Sequence, residues 1–211
     1  CQKTTVDLKT PTKLGIRLGL GMDYLPPADG LALTEGYLRV TGIELSGTRE
    51  VGEPFVFERQ FPDGLRVPFD ALGALEDLTF DVPRGNYKQL VAVLEVEAQP
   101  AQPTLWLVGN YAWTRPVVAN AVVQAQWRRA FRFEVDLLAT SGNRQLDEQA
   151  SQPQLLFQPY AWFVDTDATK WDRAYYFTTM QGRAMPINAQ DNNDLFTAAD
   201  RVLGDLLTTQ W

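Results

Sequence analysis

The chain is predicted to be an all-β protein, an antiparallel β-sandwich of about eight to ten strands with one amphipathic helix docked on it near the C-terminus. Two observations carry the prediction. Short segments alternate apolar and polar residues with period two, and Gly, Pro, Asn and Asp punctuate the gaps between them. No βαβ alternation is present, which excludes the doubly wound classes. The length of 211 residues and a 45% hydrophobic content suffice to bury a core without disulfides.

The elements follow in order. Residues 1–12 are polar and Thr-rich and end near Pro11, the composition of an extended tether. Residues 14–22 place Leu14, Ile16, Leu18, Leu20 and Met22 on one face and Gly15, Arg17, Gly19 and Gly21 on the other, a strand whose bare face invites a neighbouring side chain. A turn at 26–30 precedes strands over 36–45, 55–61, 65–69 and 78–82. Pro83-Arg84-Gly85-Asn86 reads as a turn, and 87–98, apolar on both faces in its middle, as a central strand. Further strands are expected at 104–111 and across 123–137, where Arg129 interrupts the inner face and predicts a bulge or a paired guanidinium. Residues 141–153 read as a surface loop, 155–164 as a strand that Pro159 confines to an edge, and 174–180 as the last strand. Leu195, Ala199, Val202, Leu203 and Leu206 form one stripe of a helix over 194–209, with Asp191 to Asp194 as N-cap candidates. The domain assignment is a single sandwich over 13–211; its rival is two small β domains split near 99–103.

Composition excludes several chemistries. Zero His removes every imidazole base and His-held metal or haem. One Cys makes no internal disulfide, thiolate zinc cage or iron–sulfur site. No Ser-x-x-Lys occurs, and no cluster of Lys and Arg offsets the net charge of −7, so a nucleic acid is not an expected partner.

The sole Cys is residue 1, where an open reading frame would show Met. A Cys there, followed by the polar tether, resembles the mature N-terminus of bacterial lipoproteins. The segment Asp81-Val82-Pro83-Arg84-Gly85-Asn86-Tyr87 resembles the turn-plus-Tyr that precedes a central strand in uncharacterised lipoprotein β-sandwiches of Gram-negative bacteria. This resemblance implies a cleaved signal peptide, a lipidated Cys1 and a membrane partner reached through acyl chains. Gln2, in place of the Asp linked to inner-membrane retention in such lipoproteins, implies the outer membrane.

Three constellations are candidates for function. Asp165, Asp167 and Asp172 alternate on an expected loop and would suit calcium, though the Gly and Glu of an EF-hand are missing; the plainer account is a capped acidic turn. Tyr111, Trp113 and Trp171, in loop-like surroundings, are candidates for stacking on a sugar or partner surface, whereas Trp106 and Trp127, inside strands, are expected in the core. Glu95, Glu97, Glu134 and Asp136 fall on same-face strand positions, either as a hydrolytic pair or as a salt-bridge lattice with Arg128 and Arg132. The expected role is a non-enzymatic binding or structural module without cofactor, whose partner is a polysaccharide or a protein. Alternatives are a carbohydrate-active hydrolase and a fibre subunit assembled by strand addition at 14–22 or 155–164.

Overall fold

The computed structural model describes residues 10–21, 26, 30–69, 73–99, 101–113, 120–139, 142–180, 182–203 and 207–211. Cys1, most of the tether, Met22, Pro27 to Asp29 and Leu206 lie outside the described residues. The first half contains β1 (Pro11–Gly15), β2 (Arg17–Leu20), β3 (Leu31–Arg49), β4 (Phe55–Pro68), β5 (Thr79–Pro83), β6 (Gly85–Val96) and β7 (Leu105–Tyr111). The second contains β8 (Ala121–Trp127), β9 (Phe131–Asp136), β10 (Arg144–Leu146), β11 (Gln154–Phe157), α1 (Pro159–Trp162), α2 (Ala168–Arg173), β12 (Phe177–Thr179), β13 (Gly182–Ile187), α3 (Asn193–Val202) and β14 (Leu207–Gln210). The protein is all-β and sandwich-like, with a small helix near its C-terminus.

The 19-residue β3 organises the main sheet. Tyr37 and Leu38 pair with both β4 and β7, and Gly42 to Gly47 pair with both β4 and β6. Thus β4 runs along one edge of β3, while β7 and β6 share the other edge end to end. From β7 the sheet continues through β8, β13 and β12, and from β6 it continues to β9 and β10. Strands from both sides of residue 100 therefore pair with β3. Register shifts between Leu33 and Glu35 and between Val40 and Gly42 each invert the pleat. The inward side chains change from Leu31 and Leu33 to Leu38 and Val40, then to Ile43 and Leu45, all at most 3% exposed. At the first shift, the Leu33 N–H donates to the Tyr160 hydroxyl at 3.1 Å.

Two smaller sheets complete the core. β1 pairs antiparallel with β5, and β2 lies parallel to β11, which is antiparallel to β14. The expected strand 14–22 is thus two strands broken at Ile16, because the chain leaves β5 for a different partner. Leu14, Ile16, Leu18 and Leu20 are nonetheless all buried. A Cβ on Gly21 would stand 2.3 Å from the Gln158 amide, the covering side chain expected over that bare face. Pro11 and Thr12, assigned to the tether, open β1, and Thr12 is buried.

Other boundaries differ for identifiable reasons. Residues 123–137 divide into β8 and β9, which join different halves of the main sheet; Arg129 sits in the gap and pairs with Asp200 at 2.7 Å. Pro159 starts α1 rather than lying in an edge strand, since Pro is preorganised for a first helical position. β11 is central between β14 and β2, so 155–164 offers no free strand edge. β12 is not the last strand: β13 follows, parallel to β8, with Pro186 where β12 no longer pairs. The C-terminal helix buries Leu195, Ala199 and Leu203 as the stripe requires, yet α3 ends at Val202 and the β-branched Thr208 and Thr209 continue as β14.

The Asp81–Tyr87 segment changes sheets and makes no hairpin. Gly85 has φ 146°, a value open to Gly, and the Tyr87 hydroxyl donates back to the Pro83 carbonyl across the corner. Burial pushes the Tyr87 phenol up to about 12, with the Arg49 charge opposing the shift.

Candidate functional site

The main sheet has two outer surfaces, and the pairing registers define their rows. Around the first half of β3, one row runs Pro68, Tyr37, Trp106, Gln126. The next runs Glu35, Val108, Gln124, Pro186, and the third Ala32, Asn110, Val122, Ala184, Phe177. Glu35 is the one charged side chain in these rows. Trp106 and Tyr37 are half-buried, with ring centroids 5.5 Å apart, and the Arg66 guanidinium lies 4.1 Å over the other side of Tyr37. The side-chain amides of Asn110, Gln124 and Gln126 make no hydrogen bond among the described residues.

An open cleft of about 380 Å³ adjoins the first row, lined by Gln126, Arg128, Asn188, Ala189, Gln190 and Phe196. Its outer wall is a tight Asx turn. Asn188 Oδ1 accepts the Gln190 and Asp191 N–H groups at 2.8 and 2.9 Å. Its floor is anchored by Phe196, stacked on buried Trp127 at 5.8 Å. The α3 N-cap falls on Asn192, within the expected run, but its side chain does a different job. Its amide holds the Tyr175 backbone N–H and the Tyr175 and Pro186 carbonyls, tying the segment before β12 and β13 to the start of α3.

Around the second half of β3 the rows are Gln60, Gly42, Glu95, Arg132; Glu58, Glu44, Val93, Glu134; and Val56, Ser46, Val91, Asp136. Carboxylates dominate here. Arg132 pairs with Glu95 at 2.7 Å, one bridge of the expected lattice, and Glu134 lies opposite Val93; Arg128, the other cation expected there, lines the cleft beside Gln126. Glu97 lies beyond β6, its N–H donated to Thr41 Oγ1. A recess of about 130 Å³ contains Glu44, Glu58 and Glu95, the first two directly opposite each other. That volume is well under the roughly 300 Å³ at which small-ligand pockets begin.

The aromatic expectations are reversed except at Trp127. Tyr111, Trp113 and Trp171 do come together, with Tyr111 centroids 5.4 Å from Trp113 and 5.6 Å from Trp171, but at 0, 9 and 0% exposure they form core. A stacking platform needs an exposed ring face, and these rings face one another. Trp171 belongs to α2, its indole N–H donated to Thr166 Oγ1 at 3.0 Å. Trp106, expected inside, is on the outer face, while Trp127 is fully buried as expected. The alternation of Thr104 to Tyr111 contained this signal: Leu105, Leu107 and Tyr111 share one parity, Trp106, Val108 and Asn110 the other. Tyr37 and Gln126 gave no sign without the pairing.

The three aspartates each have a different partner. Asp165 pairs with Arg201; Asp167 caps α2 by accepting the Lys170 N–H at 3.0 Å; Asp172 accepts the Tyr111 hydroxyl at 2.7 Å. Burial, then the hydrogen bond to Asp172 and its charge, push the Tyr111 ionisation upward. Among the described residues, no group of three or more His, Cys, Asp or Glu is arranged to hold a metal ion. Among the described residues, no helix is long and apolar enough to cross a membrane. No protein-family model, curated protein or solved structure matches the chain.

Proposed function

We propose that the protein is a non-enzymatic binding module of the Gram-negative cell envelope, tethered at the outer membrane through an acylated Cys1, and that it engages its partner through the charge-poor outer face of β3, β7, β8, β13 and β12. One observation carries the choice of face. In a chain of net charge −7, a broad solvent-facing surface has a single carboxylate, a braced indole and three unengaged amides. Solvated strand faces are ordinarily charged, and folding does not require this one to be otherwise. The sole Cys and the Thr-rich residues after it support the tether.

The test joins location to binding. The native protein is fractionated, its intact mass is measured, and a photo-crosslinking residue is placed at Gln124 in the producing cell. An acylated chain in outer-membrane fractions and an adduct at Gln124, absent when the crosslinker stands at Glu134, are expected. An unmodified soluble chain, or equal adducts at both positions, overturns the proposal.

A further inference from the structure

We infer that the partner of this face is a neutral polysaccharide, laid across the strands along the Tyr37–Trp106–Gln126 row and entering the cleft beside it. The inference rests on the binding role proposed above and names its ligand class.

The row has the chemistry of sugar recognition. A pyranose presents an apolar face of C–H bonds and a rim of hydroxyls that both donate and accept. The Trp106 indole supplies a broad apolar surface for the first. Its orientation is held from one side by Tyr37, which is itself covered by Arg66, so the ring is preorganised. Gln126 is the direct cross-strand neighbour of Trp106 and lines the cleft. Its amide donates and accepts, as a hydroxyl does, and makes no hydrogen bond among the described residues. Gln124 and Asn110 repeat that chemistry on the adjacent rows. Adjacent strands lie about 4.8 Å apart, a spacing close to the repeat of an extended sugar chain. A polysaccharide running across the strands thus meets one side chain of the row per residue. The cleft of about 380 Å³ falls within the roughly 300–1,000 Å³ typical of small-ligand pockets and receives the continuing chain.

Charge selects a neutral polymer. Nothing in the row is ionised. Of the nearby cations, the Arg66 guanidinium lies over Tyr37, Arg39 donates to the Asp63 carbonyl and to Gln102, and Arg128 lines the cleft. Glu35 in the next row repels an anionic chain, and the carboxylate-rich surface farther along β3 extends that repulsion.

The full chain is run in native gels containing hydroxyethylcellulose, dextran or galactomannan, with polygalacturonate as the acidic polymer. Retardation by at least one neutral polymer, unchanged by added salt, is expected. Trp106→Ala should weaken it about tenfold or more and Gln126→Ala several-fold, while both variants keep the parent's circular dichroism and melting temperature. No retardation by any neutral polymer overturns the inference, as does equal retardation of the parent and Trp106→Ala. Retention by polygalacturonate alone, abolished by salt, also overturns it. A protein adduct at Gln124 with no polymer retained removes the glycan assignment and leaves the binding module standing. Loss of both the adduct and the retention removes both.

Discussion

Along one strand, β3 carries two solvent surfaces of opposite character. Before Thr41 its outward face holds Tyr37, Trp106, Gln126, Val108, Gln124 and Val122, with Glu35 as the one carboxylate and Arg39 and Arg66 at the margin; after it the face holds Glu44, Glu58, Glu95, Glu134 and Asp136, with Arg132 among them. Both surfaces cover buried apolar side chains of one pleated sheet, aliphatic and aromatic in each half. Folding therefore places no different demand on the two outer sides. The acidic half is what solvation and solubility favour, and it even tolerates Glu44 opposite Glu58, a like-charge pair that is destabilising. The neutral half departs from that pattern without a folding reason, which is why the binding proposal is placed there.

Five experiments break or sharpen the contrast. The largest effect is expected beneath the neutral surface. Trp171→Ala should cost about 3–5 kcal/mol, because it opens a cavity among Tyr111, Phe163 and the α2 backbone. Urea unfolding showing a loss under about 1 kcal/mol would instead make that trio a surface feature.

Next, Gln124→Glu with Gln126→Glu turns the neutral half into a copy of the acidic one. Stability should stay within about 0.5 kcal/mol, while partner retention falls about tenfold. Unchanged retention would remove the meaning assigned to the missing charge.

Third, Tyr111→Phe deletes the hydroxyl donated to Asp172 and should cost about 1–2 kcal/mol, read from thermal melts. The pH dependence has a definite sign. Tyr87 ionises near 12 in the folded state against 10.0 ordinarily, so its contribution is fully present below pH 10 and is lost as pH rises from there towards 12. Tyr111, also shifted upward, acts in the same direction. Melting temperatures that rose over that window would contradict the burial of both phenols. The smallest effect is on the acidic half. Glu44→Gln should stabilise by a few tenths of a kcal/mol in dilute buffer and by less in salt, as surface like-charge relief does.

Legibility differed sharply between local and long-range features. The inward set of 14–20, the apolar middle of β6, the α3 stripe and the corner at Gly85 were all readable, since each depends on neighbours within a few residues. Trp106 shares its parity with Val108 and Asn110 and so turns outward; membership of a strand does not by itself say which face a side chain takes. The shifts in β3 left no clear mark, and Leu33 and Leu38 share the inner face despite opposite parity. The aromatic trio looked loop-borne because α2 is only six residues long and its cap, Asp167, belongs to a run that also suits an acidic turn.

By itself the sequence determined that the chain is built of strands, which side chains most of them turn inward, and that these 211 residues hold no His and one Cys. Those properties follow from residue type and from the two-residue period of the pleat, both local. Tertiary structure alone decided that β8 and β9 part company, that β13 lies parallel to β8 and β2 parallel to β11, and that one half of a sheet turns an indole and three amides to solvent with a single carboxylate among them. Strand partnership joins residues far apart in the chain, and a side chain becomes surface or core only when its neighbours on other strands are in place.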